Sequence, residues 1–344
     1  MRYRTCAIAL FLIPALVISV VCGTTFGAAS LPFGDVLHIL SAETFGGRLP
    51  NSLAGADNIV MQTRLPRTLL AAVVGAGLSV VGVAIQAVVR NPLADPFVLG
   101  ISSGASVGAA AVSIFGLLAG LGLYALSTAA FLGALLASAI VYLVARTRHG
   151  LTPLRLVLCG TALAYGFSAI TTLIVFRAPS ADAARDVLFW LMGSLAGANW
   201  GSLPIAAIAV LLGSGYLWMC GRGLNALAMG DETAATLGVP ASRLRVRLFV
   251  VCALLTGVLV AVSGAIGFVG LMLPHLVRMV TGADHRKVLA VAPLAGACFL
   301  IWVDVASRTL AAPEELPLGV LTAVLGVPSF LLLLRRRGYQ FGGQ

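Results

Sequence analysis

Charged residues are scarce in this sequence: they make up 10% of the chain, whereas soluble domains carry roughly 25%. Apolar residues make up 60% of the 344 positions, and mean hydropathy is +1.04. This composition excludes a soluble enzyme, which needs a charged surface, and a disordered chain, which needs low hydropathy. The sequence therefore predicts an all-α, polytopic membrane protein.

Motifs for catalysis and metal binding are also missing. The chain has no GxxxxGK[ST] phosphate loop, no HExxH, no GxSxG and no paired carboxylates within an apolar run. Its six cysteines lie singly in apolar runs, without a CxxC pair, which is typical of small core residues. We expect no enzyme activity, no metal site and no cofactor bound by this chain. The net charge of +10 fits membrane topology better than nucleic-acid binding.

Ten apolar runs are long enough, or nearly so, to cross a membrane as helices. Between 96 and 145 no residue is charged, so the Gly-rich segment 116–122 must turn a hairpin between two of them. The predicted spans are 7–26, 68–89, 97–118, 123–145, 156–176, 203–221, 244–263, 265–281, 288–307 and 316–334. Little sequence is left for a soluble domain, which predicts one transmembrane domain over 1–344.

Basic residues are distributed unevenly between the predicted loops. Sixteen of the 22 fall on the side that also holds both termini, and cytoplasmic loops retain Lys and Arg. Both termini are therefore predicted to be cytoplasmic. The first run resembles a secretory signal in its basic start, but it is longer than a usual signal core, which favours an uncleaved span.

An internal repeat is suggested by a shift of 182 residues. This shift aligns Gly75, Gly82, Pro92 and Gly100 with Gly257, Gly264, Pro274 and Gly282. Some coincidences are expected in a chain with 39 glycines. A true repeat would be inverted, because its copies start on opposite sides, and inverted repeats are common in transporters.

One carboxylate interrupts the nearly charge-free spans. Asp304 lies four residues before Arg308, the spacing of a helical ion pair. A structural pair is the simpler interpretation, and a proton relay in an ion-coupled secondary transporter is the alternative.

The longest predicted cytoplasmic loop, about 222–247, has a regular pattern. It is interpreted as two short helices broken at Gly230 and capped at Gly238, with Asp231 near the start of the second. Apolar Leu224, Leu227, Ala228 and Leu237 alternate with polar residues. A helix pair of this kind suits docking into a groove of a partner, and a plain connecting loop is the alternative.

Eight motifs, in order and without large gaps over about 60–335, carry a resemblance to a known family. They are RLPR at 64–67, GVAIQ at 82–86, NPLADP at 91–96, LGISSGA at 99–105, WLMGSL at 190–195, GDETAATLG at 230–238, GAIGFVGLMLPH at 264–275 and ELPLGVLT at 315–322. In these motifs the chain resembles the FecCD/BtuC-type permeases of type II ABC importers, which carry iron chelates, haem or cobalamin.

The resemblance implies partners and a cycle. Two permease copies would pair in the bacterial inner membrane, two ATPase subunits would hold ATP and Mg on the cytoplasmic side, and a periplasmic binding protein would deliver the cargo. Transport would proceed by alternating access. The segment docked to the ATPase would include Leu227, Gly230, Asp231, Glu232, Ala234, Ala235 and Gly238.

The resemblance also assigns residues on both sides of the membrane. Arg64, Arg67 and Arg308 match positions that contact the binding protein, although anchoring at the headgroups and pairing with Asp304 are alternatives. The turn Asn91-Pro92-Leu93 matches the cytoplasmic gate.

The fifth span would line the translocation path. Its candidate residues are Thr161, Ser168, Thr171, Thr172 and, just outside, Arg177. Small and hydroxylated residues equally permit close helix packing, and a boundary arginine is often an interfacial anchor. The expected cargo is an iron chelate, with cobalamin as the alternative.

Overall fold

The structure is a computed structural model that describes residues 2–27, 29–47, 49–148 and 150–335. Arg48, Arg336 and Arg337, which enter the predicted charge asymmetry, lie outside the described residues. The fold is all-α, as predicted, apart from one small hairpin.

The helices follow one another with short connections. They are α1 Arg2–Thr25, α2 Phe33–Phe45, α3 Ala54–Asn58, α4 Leu65–Val88, α5 Ile101–Phe115, α6 Ala125–Ala145, α7 Pro153–Phe176, α8 Ala181–Leu191, α9 Leu203–Met219, α10 Gly221–Met229, α11 Asp231–Thr236, α12 Ala241–Ser263, α13 Val269–Thr281, α14 His285–Thr309 and α15 Leu318–Arg335. Tighter turns precede α3, α5 and α6, and a wider turn over Ile59–Arg64 leads into α4. Strands β1 (Arg146–Thr147) and β2 (Gly150–Leu151) pair antiparallel between α6 and α7.

Each of the ten predicted runs coincides with a helix. Within the described residues, the helical segments containing α1, α4, α6, α7, α12 and α14 are long and apolar enough to cross a membrane, and α9 with α10 forms a pair bent by 59°. The predicted third, eighth and tenth runs correspond to the shorter helices α5, α13 and α15. As predicted, the Gly-rich segment 116–122 joins two helices, α5 and α6, that pack together.

Three helices, α2, α3 and α8, were not predicted. They contain 13, 5 and 11 residues, which is too short to cross a membrane, so a search for apolar runs of span length passes over them. Helix α8 is an amphipathic connection that follows the predicted fifth span and packs on α5 and α7.

Helix α4 is the centre of the molecule. It is buried along most of its length and packs against α9, α12, α13 and α14. Backbones approach closely at two crossings: a Cβ at Gly75 would clash with the carbonyl oxygen of Gly296, and a Cβ at Gly82 with that of Gly270. Because lipid removes the hydrophobic drive between helices, such small-residue contacts supply the packing energy.

The repeat is supported by packing but not by the alignment. Helix α4 packs on α13 and α14, and α12 packs on α5 and α6, as two equivalent halves would do. The shift of 182 relates α4 to α12 and then fails, because Pro92 lies in a turn whereas Pro274 lies inside α13. Gly100 precedes a helix whereas Gly282 follows one. These later matches are glycine and proline coincidences.

Candidate functional site

The loop predicted to bind the ATPase contains two short helices, as expected. Helices α10 and α11 meet at Gly230, and Gly238 follows α11. Both residues have positive φ angles, 115° and 74°, which glycine adopts without steric cost. No heavy atom lies within 4 Å of a Cβ built at Gly238. The outer end of the pair therefore stands clear of the rest of the chain.

The two faces of this helix pair have different environments. Leu224, Leu227 and Ala234 are fully buried within the chain itself. The expectation that Leu224, Leu227 and Ala234 face a partner is wrong, because the chain itself covers all three side chains. The two leucines belong to the core formed with the membrane helices. The exposed residues of the pair include Ala228, Met229, Glu232, Ala235 and Leu237.

A buried arginine holds α11 in place. Arg245, on α12, is 1% exposed and bridges three elements. Its Nη2 lies 2.6 Å from Asp231 Oδ1, its Nη1 donates to the Leu151 carbonyl at 2.9 Å, and its Nε donates to the Val88 carbonyl at 3.2 Å. The hydrogen bond from Arg245 also lowers the pKa of Asp231 below its ordinary value.

Arg245 was missed in the sequence. It lies between Arg243 and Arg247, which are both exposed. A count of basic residues per loop gives all three the same weight and does not distinguish the buried one. The available signal was helical spacing: Arg245 precedes buried Leu248 and Cys252 on one face of α12.

A second contact ties α10 to the start of α14. The Asn225 side chain donates to Asp284 Oδ1 at 3.1 Å and accepts from the His285 backbone N–H at 2.9 Å. Asp284 also accepts from the Arg286 backbone N–H, which caps α14. Partial burial opposes ionisation, yet these two hydrogen bonds and nearby cations lower the pKa of Asp284.

The predicted gate residues lie beside a cavity of about 810 Å³. Asn91 and Pro92 line it together with residues of α10, α13 and α14. Asn91 Oδ1 accepts from the Leu93 backbone N–H at 2.9 Å, which closes a tight turn. Leu93 is 42% exposed. The turn thus leaves the Leu93 side chain exposed next to two residues that line the cavity.

The predicted path residues do not share one face of α7. Thr161, Ser168 and Thr172 are exposed on a common stripe, whereas Thr171 is 5% exposed and donates to the Phe167 carbonyl. Thr171 is thereby placed in the packing of the chain. Arg177 is exposed just beyond the helix.

The three predicted docking arginines lie near one another, and all are nearly buried. Arg67 Nε lies 2.8 Å from Asp304 Oδ1, and its two terminal nitrogens donate to both Glu315 oxygens at 2.7 and 2.9 Å. Arg308 Nη2 lies 2.9 Å from Asp304 Oδ2, which confirms the predicted ion pair. Arg64 donates to carbonyls of Thr25 and Ala29.

The cluster of Arg64, Arg67, Asp304, Arg308 and Glu315 is called the outer cluster here, after the side of the membrane that the sequence predicts for it. It joins the ends of three helices. Arg308 also donates to the Gly23 carbonyl at 3.0 Å, so α1, α4 and α14 are tied together. Asp304 is fully buried between two arginines. The alternative of a proton relay gains no support, because the negative charge of Asp304 is balanced by the ion pairs with Arg67 and Arg308.

Comparisons with known proteins identify the family. The FecCD transport family matches residues 15–336, which is most of the chain. The chain belongs to the FecCD transport family. This FecCD chain is 41% identical to the hemin transport system permease protein HmuU of Yersinia pestis, over 97% of this chain and 96% of that protein. It is 42% identical to the cobalamin import system permease protein BtuC of Halobacterium salinarum, over 82% of this chain and 74% of that protein.

A solved structure agrees with the fold of this FecCD chain. It is described as an inward-facing conformation of a metal-chelate type ABC transporter, is 34% identical, and superposes with a TM-score of 0.82. The match covers 95% of this chain and 98% of that chain. The all-α polytopic fold and the predicted resemblance are therefore confirmed.

Proposed function

We propose that this FecCD chain is the permease subunit of an ABC importer that moves an iron chelate, a ferric siderophore or haem, across the bacterial inner membrane. ATP hydrolysis would occur on a separate ATPase subunit that carries ATP and Mg. The chain would span the membrane many times, with both termini in the cytoplasm.

The observation that carries the proposal is the α10–α11 pair. Its inner face is fixed to the membrane helices by Arg245 and Asn225, while its outer face, with Met229, Glu232 and Leu237, is exposed. A surface that is rigidly anchored and outwardly free can transmit force from a docked partner. This arrangement supports the coupling role of Gly230, Asp231, Glu232, Ala235 and Gly238.

Two routes would carry that force into the membrane. Through Asn225 the pair pushes on the start of α14, a helix of 25 residues that is about 37 Å long. Its other end carries Asp304 and Arg308 in the outer cluster. Through Arg245 the pair acts on the end of α4 beside the Asn91–Leu93 turn. Movement at the ATPase could therefore reach both the gate and the outer cluster.

A second copy of the chain would complete the path. The exposed stripe of α7 mixes Thr161, Ser168 and Thr172 with Leu158 and Tyr165, which suits a polar path better than lipid. In a homodimer, two such stripes would face each other. Arg177 at the outer end would attract an anionic cargo.

Docking of the periplasmic binding protein requires a rearrangement. The Arg67 side chain is 7% exposed, whereas the side chain of its partner Glu315 is 33% exposed. A carboxylate of the binding protein would compete with Glu315 for the Arg67 fork. Glu315→Gln should weaken the internal pair and tighten docking; weaker docking would contradict the competition.

The cargo rests on relatives named for hemin and cobalamin alike, so cobalamin remains the alternative. The chain should be purified gently from its native membrane and its partners identified by mass spectrometry. Recovery of an ATPase at comparable amount supports the proposal. Bound haem, siderophore or cobalamin on a co-purified binding protein would then decide the cargo. No ATPase, even with hydrolysis trapped, would contradict the coupling role.

A further inference from the structure

A basic groove of about 790 Å³ lies beside α11 and shares no lining residue with the cavity next to Asn91 and Pro92. Its lining includes Arg146 and Arg148 of the β1–β2 hairpin and Arg243 and Arg247 of α12. No acidic residue lines it, and within the described residues none of these four arginines is paired with a carboxylate. The Arg146 guanidinium lies over the Tyr142 ring, 5.6 Å from its centre. Positive potential is thus concentrated in one concave site.

Backbone geometry builds this site. Pro240, at the N-cap of α12, offers no side-chain acceptor to the first turn of the helix. Pro240, Ala241 and Ser242 line the groove, so the positive end of the helix dipole lies at the groove. Gly150, with φ of 98°, lets the hairpin approach Ser242 so closely that a Cβ would clash with the Ser242 hydroxyl. The hairpin arginines are held next to the first turn of α12 as a result.

Apolar stripes continue from the arginines along both helices. On α12 the exposed residues Arg243, Arg247, Val250 and Leu254 recur at helical spacing, with Val250 44% and Leu254 43% exposed. From Arg243 to Leu254 the helix rises about 16 Å, close to half the thickness of a hydrocarbon layer.

Helix α6 repeats the pattern in the opposite chain direction. Its exposed Leu132, Leu136 and Leu143 lead to Arg146 at the groove. Because α6 and α12 pack together, the two stripes lie on adjacent helices. A molecule with an anionic headgroup at the arginines and acyl chains along the apolar stripes would match this surface.

We propose that this groove, lined by Arg146, Arg148, Arg243 and Arg247, binds the headgroup of an anionic phospholipid whose chains lie along α6 and α12. A cytoplasmic protein could reach the arginines but not the apolar stripes within the membrane, which favours lipid over an ATPase contact. The bound lipid would support α11 from below, next to Ala235 and Val239.

The full-length protein is tested for retention of phosphatidylglycerol and phosphatidylcholine by native mass spectrometry. Phosphatidylglycerol should be retained preferentially. Arg243→Gln with Arg247→Gln should weaken its binding about tenfold or more. The matched control, Arg155→Gln with Arg222→Gln, removes two exposed arginines outside the groove and should change binding less than about threefold.

Three outcomes would overturn the site. Equal losses in both double variants would indicate general surface charge. Equal occupancy by inorganic phosphate at the same concentration would show that the acyl chains contribute nothing. Unchanged lipid retention with loss of a co-purified ATPase would make the groove a protein contact.

Photolabelling of the wild-type protein tests the site without variants, whose loss of lipid binding would also follow from misfolding. A photoreactive phosphatidylglycerol carried in mixed micelles should label peptides covering 132–146 and 243–254. Labelling confined to other exposed helices, such as α1 and α9, would contradict the proposal.

Discussion

Replacement of Arg245 by Met should release α11, the second helix of the proposed coupling pair, while leaving the membrane helices folded. Met keeps much of the apolar volume of the side chain but removes every donor. The carbonyls of Val88 and Leu151 lose a charged donor, and Asp231 loses a two-point contact. Two buried acceptors left unsatisfied cost about 1–3 kcal/mol each. The lost ion pair adds less than about 1 kcal/mol, because the Asp231 side chain is 46% exposed.

The expected loss is therefore about 2–7 kcal/mol, concentrated where α11 meets α12. Hydrogen exchange of the full-length protein in detergent measures it locally. At about 1.4 kcal/mol per tenfold, peptides covering 231–239 should exchange at least about 25-fold faster. Arg222→Met, at an exposed arginine of α10, is the matched control and should leave exchange unchanged. Equal exchange in both variants would refute the anchoring role of Arg245.

Four further outcomes follow from the same contacts. Gly238→Leu should destabilise the free subunit by only about 1–2 kcal/mol, from the left-handed backbone, because the added Cβ meets no other part of the chain. The same side chain should abolish ATPase co-purification, and retained co-purification and uptake would count against docking at Gly238. Asn225→Ala should accelerate exchange at the start of α14 roughly tenfold, by losing hydrogen bonds worth about 1–2 kcal/mol, and unaltered exchange would argue against this link. Asp304→Asn should lower the unfolding temperature far more than Glu315→Gln, because Asp304 is buried between two arginines; the reverse order would show that the cluster is misassigned. Because the pKa of Asp231 is lowered in the folded protein, its ion pair stabilises the fold fully above the unfolded-state pKa of about 3.9, and this stabilisation is lost as the pH falls below that value. Hydrogen exchange of α11, corrected for its intrinsic pH dependence, should therefore rise only in acid. A rise near neutral pH would contradict the pairing of Asp231 with Arg245.

Helix pattern and local turn chemistry could be predicted without the structure. The ten apolar runs depend on composition along the chain, and each became a helix because every backbone polar group must be satisfied in lipid. The break at Gly230 and the cap at Gly238 also depend on local conformation, which glycine reveals. The Asp304–Arg308 pair was readable because i and i+4 meet on any helix.

Contacts between distant residues could not be predicted. Arg67 meets Glu315 from 248 positions away, and Arg245 meets Val88 from 157 positions away. No local pattern encodes such pairs. The same limit explains why Leu227 was expected on the docking face and Thr171 on the path, since periodicity defines a face without saying what covers it.

The sequence by itself determined that the chain is a helical membrane protein and where the α10–α11 helix pair lies, because hydropathy and glycine positions act within a few residues. Only the tertiary structure decided which basic residues, among those that the structure describes, are buried anchors and which are exposed. That choice depends on helix packing around α4, which brings carbonyls and carboxylates to Arg67, Arg245 and Arg308 and leaves Arg243 and Arg247 exposed.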